Sequence, residues 1–181
     1  MKKIIITGGP CVGKTTTINL LKQPGVHVID EVPRDIIAAE LRKKECDASY
    51  DPIVPWTKLK EFQHLIIKEQ LRHEATIPDN THTVILDRAL GDIIGYCRVA
   101  GQSPPNELAS LIKKAGYSTV IFLEQLPEYM TDAERKEDPV LAKKIHDEIL
   151  NAYKELGFDV VVVPPFHKQE KERAEFVKRH L

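Results

Sequence analysis

The chain has 181 residues, which suits one domain with a full hydrophobic core and leaves hardly enough length for two. Hydrophobic residues make up 42% of the chain and charged residues 29%, proportions that exclude an intrinsically disordered protein. The formal net charge of -1 argues against a surface that neutralises a nucleic-acid backbone, so the expected partners are small molecules rather than nucleic acid.

The first predicted element is a short apolar strand at residues 3–7, and a glycine-rich loop follows it directly. Residues 8–15 read Gly-Gly-Pro-Cys-Val-Gly-Lys-Thr and fit the pattern GxxxxGK(S/T) at every fixed position. Between a strand and a helix, such a loop turns its backbone N–H groups toward phosphate oxygens, so it predicts a nucleotide-binding site. The predicted nucleotide-binding residues here are Gly8, Gly9, Pro10, Cys11, Val12, Gly13, Lys14, Thr15 and Thr16.

Two residues of this loop have separate predicted roles. Lys14 is expected to reach the β- and γ-phosphates of ATP and to act in catalysis, and the hydroxyl of Thr15 is expected to ligate Mg²⁺. The Asn/Thr-Lys-x-Asp pattern of many GTP-specific proteins does not occur in the sequence, which favours ATP over GTP.

The second predicted strand, at residues 26–30, ends beside two acids. Glu31 follows this strand at the carboxyl edge of the sheet, where a carboxylate is placed to orient or deprotonate a hydroxyl that attacks the γ-phosphate. The alternative is that Asp30 or Glu31 caps the helix that begins near Pro33. Farther along, the polar residues 42–51 predict a solvated loop and residues 55–75 predict a helix.

The third predicted strand, at residues 83–87, is an apolar run closed by an acid and a base. Asp87 is placed to hold Mg²⁺, directly or through water, and Arg88 has forked donors that suit a transferring phosphoryl group. A surface ion pair is the alternative for these two residues. Glu124 ends the fourth predicted strand, at residues 119–124, and is a second candidate for the carboxylate on the metal side.

A charged segment at residues 125–138 follows the fourth strand and predicts a lid near the phosphates. An arginine delivered by such a lid would stabilise charge on the transferring group, and Arg135 is the preferred catalytic candidate, with Lys136 second. A solvated charged face is the alternative. A long amphipathic helix is predicted next, with Pro139 near its start and Gly157 at its end.

Strands alternate with helices along the chain, and a fifth strand is predicted at residues 159–163. Most of the strands are apolar on both faces, as in a parallel sheet that helices cover on both sides. The predicted fold is therefore α/β: a P-loop NTPase three-layer α/β/α sandwich with a five-stranded parallel sheet, formed by one domain over residues 1–181. The cysteines are widely spaced, which favours free thiols, and the longest apolar runs have only strand length. Together with the lack of a secretory signal, these features predict a cytoplasmic protein with no membrane contact.

With these motifs in place, the sequence resembles the small P-loop kinases, and most closely the ATPase/kinase-like group that includes the nicotinamide riboside kinase domain. More distantly it is similar to thymidylate kinase and the deoxynucleoside kinases. The stretches that carry the resemblance are residues 8–15, 30–34, 87–92 and 135–138, together with the ending 156–165. One departure is Ala89, where the deoxynucleoside kinases continue their acid–arginine pair with serine, and it argues against a simple deoxynucleoside as the substrate.

The resemblance implies roles for further residues. Those expected to bind the acceptor are Glu31, Arg34, Gln63, Arg88, Asp92 and Tyr96, and Pro165 is expected to lie against the adenine of ATP. By this resemblance Gln63 would read a base, and the alternative is a surface glutamine beside a core phenylalanine, Phe62.

These residues together predict a Mg²⁺-ATP-dependent phosphotransferase, a kinase, that acts on a small metabolite resembling a nucleoside or nucleotide. The alternative is a P-loop ATPase that acts as a nucleotide-dependent switch or regulatory protein. A single predicted domain without an added signalling module favours the kinase.

Overall fold

The computed structural model describes residues 1–126, 138–166 and 170–181. The elements in chain order are β1 (Lys2–Thr7), α1 (Lys14–Leu21), β2 (Val26–Ile29), α2 (Val32–Cys46), α3 (Leu59–Ala75), β3 (Thr83–Asp87), α4 (Asp92–Val99), α5 (Leu108–Ala115), β4 (Thr119–Leu123), α6 (Pro139–Glu155), β5 (Val160–Val163) and α7 (Glu170–Lys178). None of the helices in the described ranges is both long enough and apolar enough to cross a membrane.

In the described residues, five strands form one parallel sheet in the order β2-β3-β1-β4-β5. β1 lies at its centre, where Ile6 is opposite Asp87 of β3 on one side and Ile121 of β4 on the other. Helices cover both faces of the sheet, so Ile4, Ile5 and Ile6 are fully buried. The prediction of an α/β fold with a five-stranded parallel sheet is confirmed.

Successive residues of β1 face opposite sides of the sheet and belong to separate hydrophobic cores. Ile5 packs in the core built from helices α2 to α6, which includes Ile36. Ile4 packs on the other face with α1 and α7, through residues such as Ile18 and Val177. Two cores separated by one sheet make the predicted three-layer sandwich.

The carboxyl ends of the parallel strands meet at one edge of the sheet, which is where ligands bind in open α/β folds. The glycine-rich loop follows β1, Glu31 follows β2, Arg88 follows β3 and Glu124 follows β4. Residues far apart along the chain are therefore brought to neighbouring positions.

The helices differ from the sequence prediction in three places. α2 continues through Cys46, so residues 42–46, predicted as loop, are helical and exposed, because polar residues also suit the outer face of a helix. Residues 55–58 precede α3 instead of belonging to it. The helices α4 and α5 have no counterpart in the prediction, since each has only eight residues and α4 contains Gly95.

The predicted lid at residues 125–138 lies largely outside the described residues, which omit 127–137 and with them Arg135 and Lys136. The helix after it, α6, begins where the sequence predicts. The Asp138 carboxylate accepts a hydrogen bond from the N–H of Leu141 (2.8 Å), and a proline occupies the first helical turn.

Glu40 fastens the loop between α2 and α3. Its buried carboxylate accepts hydrogen bonds from Lys43 Nζ (2.5 Å), the Tyr50 hydroxyl (2.7 Å) and the N–H of Ile53 (2.8 Å). We expect Glu40→Ala to lower the free energy of unfolding in urea by about 2–4 kcal/mol, because these donors lose their acceptor. Glu45→Ala, on the exposed last turn of α2, is the control and should change it by less than about 0.5 kcal/mol. Equal losses would contradict the fastening role.

Candidate functional site

The glycine-rich loop wraps closely around the point where β1 ends and α1 begins. Gly8 and Gly13 have positive φ angles of 144° and 77°, and Cys11 has a φ of 59°. A Cβ atom at Gly8 would lie 2.6 Å from the carbonyl oxygen of Leu123, so only glycine fits there. The loop then leads straight into α1 at Lys14, which is the geometry of a phosphate-binding loop.

Lys14 lies across this loop with its side chain buried. Its Nζ donates a hydrogen bond to the carbonyl oxygen of Gly9 (3.3 Å). Burial and the nearby charge of Arg88 lower the pKa of Lys14 to about 8, although Glu31 and Asp87 oppose the shift. Lys14 therefore places a positive charge inside the loop, where it can meet a phosphate.

The remaining predicted residues of the nucleotide site lie at the same edge of the sheet. Pro10 and Val12 are buried, Thr15 and Thr16 are exposed in the first turn of α1, and Pro165 is half-buried just after β5. Arg135, predicted to act from the lid, lies outside the described residues.

Arg88 links the loop, the end of β2 and the start of α4. Its Nη1 donates to the carbonyl oxygen of Gly8 (2.9 Å) and to Asp92 Oδ2 (2.7 Å), and its Nε donates to Glu31 Oε1 (2.8 Å). The guanidinium is buried, and its central carbon lies 5.6 Å from the ring centre of Tyr96. The backbone φ of 68° is uncommon for a residue other than glycine and places the side chain among these partners. Arg88 thus connects the loop with the carboxylate after β2.

Asp92 is held by donors from the protein itself. Thr7 Oγ1 donates to its Oδ2 (2.7 Å) beside Arg88, and the Tyr153 hydroxyl donates to its Oδ1 (2.8 Å). Tyr153 fits there because the neighbouring residue is Gly91, where a Cβ would lie 2.5 Å from the tyrosine ring. These contacts make Asp92 a support for Arg88, and its contact with an acceptor stays a prediction.

Glu31 has two arginine partners. Its Oε1 accepts a hydrogen bond from Arg88, and its Oε2 lies 3.1 Å from Nε of Arg34. Burial alone would raise the pKa of Glu31, but the charges of Arg88 and Lys14 lower it to about 2. A carboxylate of this kind is a weak proton acceptor at neutral pH, which favours orienting a hydroxyl over deprotonating it.

Asp87, in contrast to Glu31, has a carboxylate oxygen with no donor beside it among the described residues. Its side chain is buried, and its Oδ1 has no hydrogen-bond partner among the described residues. Burial raises the pKa of Asp87 to about 6, with Glu31 adding to the shift and Lys14 opposing it. A buried carboxylate oxygen that lacks a donor fits a divalent cation, and the exposed hydroxyl of Thr15 lies at the same edge of the sheet.

The described part of the chain holds no group of three or more His, Cys, Asp or Glu side chains that could bind a metal ion. In phosphoryl-transfer proteins Mg²⁺ is usually held by one or two protein side chains together with substrate phosphates and water, so a pair such as Asp87 and Thr15 would be enough to hold it.

Two side chains that no sequence motif marks support the loop from helices later in the chain. His146 of α6 accepts a hydrogen bond at Nδ1 from the N–H of Gly9 (3.1 Å). Arg173 of α7 is buried and donates to the carbonyl oxygens of Val12 and Glu124 (2.6 Å each). The sequence contains one signal that could have identified both residues: each is polar and stands among the apolar positions of its helix. A polar side chain that is buried in this way needs a hydrogen-bond partner.

Gln63 lines a cavity of about 320 Å³ beyond the second half of α4. Its side chain is buried, not on the surface, and its Oε1 has no hydrogen-bond partner in the described part of the chain. The other lining residues are Lys60, His64, Cys97 and residues 102–107. Cys97 follows Asp92 in α4 by five residues, a rise of about 7.5 Å along the helix axis, and none of Glu31, Arg88 and Asp92 lines the cavity.

The family comparison agrees with this arrangement. Residues 3–173, nearly the whole chain, match the family model described as an AAA domain. The chain belongs to this AAA domain family. The prediction of a P-loop family with a kinase-like fold is confirmed, and this family and fold imply that the AAA domain binds a nucleotide. No curated protein matches the sequence.

Solved structures of similar fold include deoxyadenosine kinase from M. mycoides, determined with the products dCMP and a flexible dCDP bound. The TM-score is 0.64 at 15% sequence identity, and the match covers 98% of the AAA domain chain and 97% of the kinase. At this identity the likeness is one of fold. The AAA domain described here therefore has the fold of a nucleoside kinase.

Proposed function

We propose that this AAA domain is a Mg²⁺-ATP-dependent phosphotransferase whose acceptor is a small metabolite resembling a nucleoside or nucleotide. The observation that carries the proposal is the position of Arg88, which hydrogen-bonds to Gly8 of the loop and to Glu31 at once. A carboxylate held beside a phosphate-binding loop suits a kinase, because a kinase must orient an acceptor hydroxyl toward the γ-phosphate. The fold shared with a deoxyadenosine kinase supports the same class of acceptor.

In the proposed donor half, the loop N–H groups and Lys14 bind the β- and γ-phosphates of ATP, and the adenine lies near Pro165. Thr15 and Asp87 would hold Mg²⁺, which supplies charge neutralisation at the phosphate oxygens when it is bound. The orphaned Oδ1 of Asp87 is the feature that supports this assignment.

The chemistry required of the chain's own residues is positioning and charge stabilisation. Lys14 and Arg88 stabilise negative charge on the transferring phosphoryl group, and Arg135 adds a positive charge from the lid. Glu31 accepts a hydrogen bond from the acceptor hydroxyl and aims its oxygen along the line of the breaking bond. Two arginines keep Glu31 ionised for this task.

The proposed acceptor half extends from Glu31 to the cavity lined by Gln63. The hydroxyl end of the acceptor lies at Glu31 and Arg34, with Tyr96 beside it. The ring end lies in the cavity of about 320 Å³, where Gln63 Oε1 accepts a hydrogen bond from a ring N–H or amino group. Lys60, Asn106 and Glu107 also line the cavity and offer further hydrogen-bond partners to the ring end of the acceptor.

The test is a phosphate-transfer screen with ATP, Mg²⁺ and a panel of nucleosides, nucleotides and vitamin precursors, with Lys14→Ala as the blank. We expect at least one acceptor to raise ADP formation about tenfold or more over the acceptor-free rate and to yield a phosphorylated product by mass spectrometry. Slow hydrolysis that no acceptor accelerates would overturn the proposal and favour a nucleotide-dependent switch.

The substitution Glu31→Gln should separate transfer from nucleotide binding. We expect kcat/KM for the acceptor to fall by about 10²–10³-fold, because the orienting charge is lost, while the Kd for ATP changes less than about threefold. Steady-state kinetics and calorimetry measure the two quantities. Asp35→Asn, which neutralises an exposed acid in the first turn of α2, is the control and should leave both nearly unchanged. Equal losses of transfer and binding in Glu31→Gln would contradict the assigned role.

Nucleotide binding should be tightest between about pH 6 and pH 8. Lys14, with a pKa of about 8, loses its charge above that range, and Asp87, with a pKa of about 6, is protonated below it. Calorimetry near pH 8 in two buffers should show proton uptake on ATP binding, because the phosphates raise the pKa of Lys14. In Asp87→Asn the weakening of nucleotide binding below about pH 6 should disappear. If it persists, protonation of Asp87 is not its cause.

A further inference from the structure

His146 lies in the interior where α6 passes behind the phosphate-binding loop. Its ring packs on Phe122 of β4 with centroids 4.5 Å apart, and the residue is 3% exposed. Its Nδ1 lies 3.1 Å from the backbone nitrogen of Gly9. The approach is close, because a Cβ on Gly9 would lie 2.7 Å from the Cβ of His146. The loop and α6 therefore fit together only with glycine at position 9.

The hydrogen bond between Gly9 and His146 defines the protonation of the imidazole. A backbone N–H can only donate, so Nδ1 accepts through its lone pair and carries no proton. The proton of the neutral ring is then on Nε2, which lies 3.4 Å from Glu124 Oε2 and has no hydrogen-bond partner among the described residues. Burial lowers the pKa of His146, although Glu124 opposes the shift, and this supports the neutral ring.

Within residues 1–126, 138–166 and 170–181, three side chains from beyond α1 each hold a backbone group of the loop. Arg88 binds the carbonyl oxygen of Gly8, Arg173 binds that of Val12, and His146 accepts the N–H of Gly9. The third anchor is different in kind, because N–H groups are what such a loop offers to phosphate. By engaging the Gly9 N–H, His146 selects which N–H groups of the loop are left for a ligand.

We propose that His146 is a positioning residue of the nucleotide site: its Nδ1 holds the Gly9 N–H and so keeps the first turn of the loop in its binding shape. Its Nε2–H faces Glu124. The nucleotide readout of this inference rests on the proposed function, whereas its spectroscopic readout rests on the geometry alone. Losing the anchor leaves the Gly9 peptide free to rotate, so ATP has to order the loop when it binds.

Replacing His146 by asparagine or by glutamine tests the two ring nitrogens separately, because each amide group takes the position of a different nitrogen. In His146→Asn the side-chain oxygen occupies the position of Nδ1 and can still accept the Gly9 N–H. In His146→Gln the amide group reaches the position of Nε2 and leaves that N–H without its acceptor. Both substitutions remove the ring from Phe122, so they form a matched pair in packing loss.

The Kd for ATP and the free energy of unfolding in urea are measured on the full chain. We expect His146→Asn to bind ATP within about twofold of the wild type, and His146→Gln to bind it about five- to tenfold more weakly, the loss of one hydrogen bond. His146→Gln should also lose more stability than His146→Asn, because it leaves the buried N–H of Gly9 without an acceptor. Equal weakening of ATP binding in both variants would overturn the proposal.

Nitrogen NMR of the protein labelled with ¹⁵N at histidine gives a readout that needs no ligand. The His146 signals are those that vanish in His146→Asn. We expect Nδ1 to show the shift of an unprotonated ring nitrogen and Nε2 that of an N–H. A proton on Nδ1 would overturn the inference. If the wild type binds no nucleotide, the proposed function fails, and this spectrum still decides whether His146 Nδ1 accepts the N–H of Gly9.

Discussion

We expect Arg88→Lys to lower kcat/KM for phosphate transfer by about 10²–10³-fold. Lysine keeps the positive charge but has one nitrogen, so it cannot hold the Gly8 carbonyl, Glu31 and Asp92 together as the guanidinium does. The loss should fall on kcat more than on the KM for ATP, because Lys14 and the loop N–H groups remain in place. Steady-state kinetics with the acceptor found in the screen measure both quantities.

Arg42→Lys is the matched control for this substitution. Arg42 is an exposed arginine of α2 outside the proposed site, so its replacement should change kcat/KM by less than about twofold. In urea, Arg88→Lys should lower the free energy of unfolding by about 2–4 kcal/mol, because the half-buried Glu31 and the buried Asp92 lose donors. Similar kinetics for the two variants would show that the Arg88 bridge is not needed for transfer.

The substitution Asp87→Asn is expected to change activity and stability in opposite directions. Transfer should fall by about 100-fold or more, because an amide is a poorer ligand for Mg²⁺ than a carboxylate. The free energy of unfolding at pH 7 should rise by about 1–3 kcal/mol, because the folded wild type holds a buried carboxylate whose pKa is raised to about 6. Kinetics and urea unfolding measure the two effects.

The pH dependence of stability tests whether the buried Asp87 carboxylate is the cause of this gain in the free energy of unfolding. Its pKa is higher in the folded protein than in the unfolded chain, so its contribution is fully present below about pH 4 and is lost as the pH rises through about 6. Wild-type stability should decline over that range, and Asp87→Asn should lack this decline. Asp30→Asn, at the exposed position after β2, is the control and should change neither transfer nor stability. A variant less stable than the wild type at pH 7 would contradict this account.

Much of the fold is predictable because its signals are local. The centre of β1 is an apolar run, Ile4–Ile6, that is buried on both faces of the sheet, and the loop after the strand is a pattern of eight residues. Asp87 and Arg88 close another such run, so topology alone places them at the ligand edge. The helix α4 escapes prediction because Gly95 weakens its local propensity, while close packing of that glycine on Ile149 of α6 compensates for it.

The support of the site is hard to predict because its contacts join distant parts of the chain. His146 meets Gly9, and Tyr153 meets Asp92, yet both stand in a helix whose apolar spacing resembles an ordinary core helix. Burial of a polar side chain signals that a partner exists, but it does not say which residue that partner is. For the same reason, the three protein donors around Asp92 emerge only from the folded structure, among them Thr7.

The loop after β1 is synthesised early, but the side chains that hold it in place are synthesised late. Its anchors His146 and Arg173 lie 137 and 161 residues beyond the loop groups that they hold. During synthesis a growing chain therefore carries the whole nucleotide-binding motif long before α6 and α7 can fasten it. We expect a nucleotide to bind such a partial chain weakly, whereas the chain that includes α6 and α7 would be stabilised by mass action when a nucleotide binds. Nucleotide binding by this domain is therefore expected to require that α6 and α7 have been synthesised and packed on the loop, and not only that the motif is present.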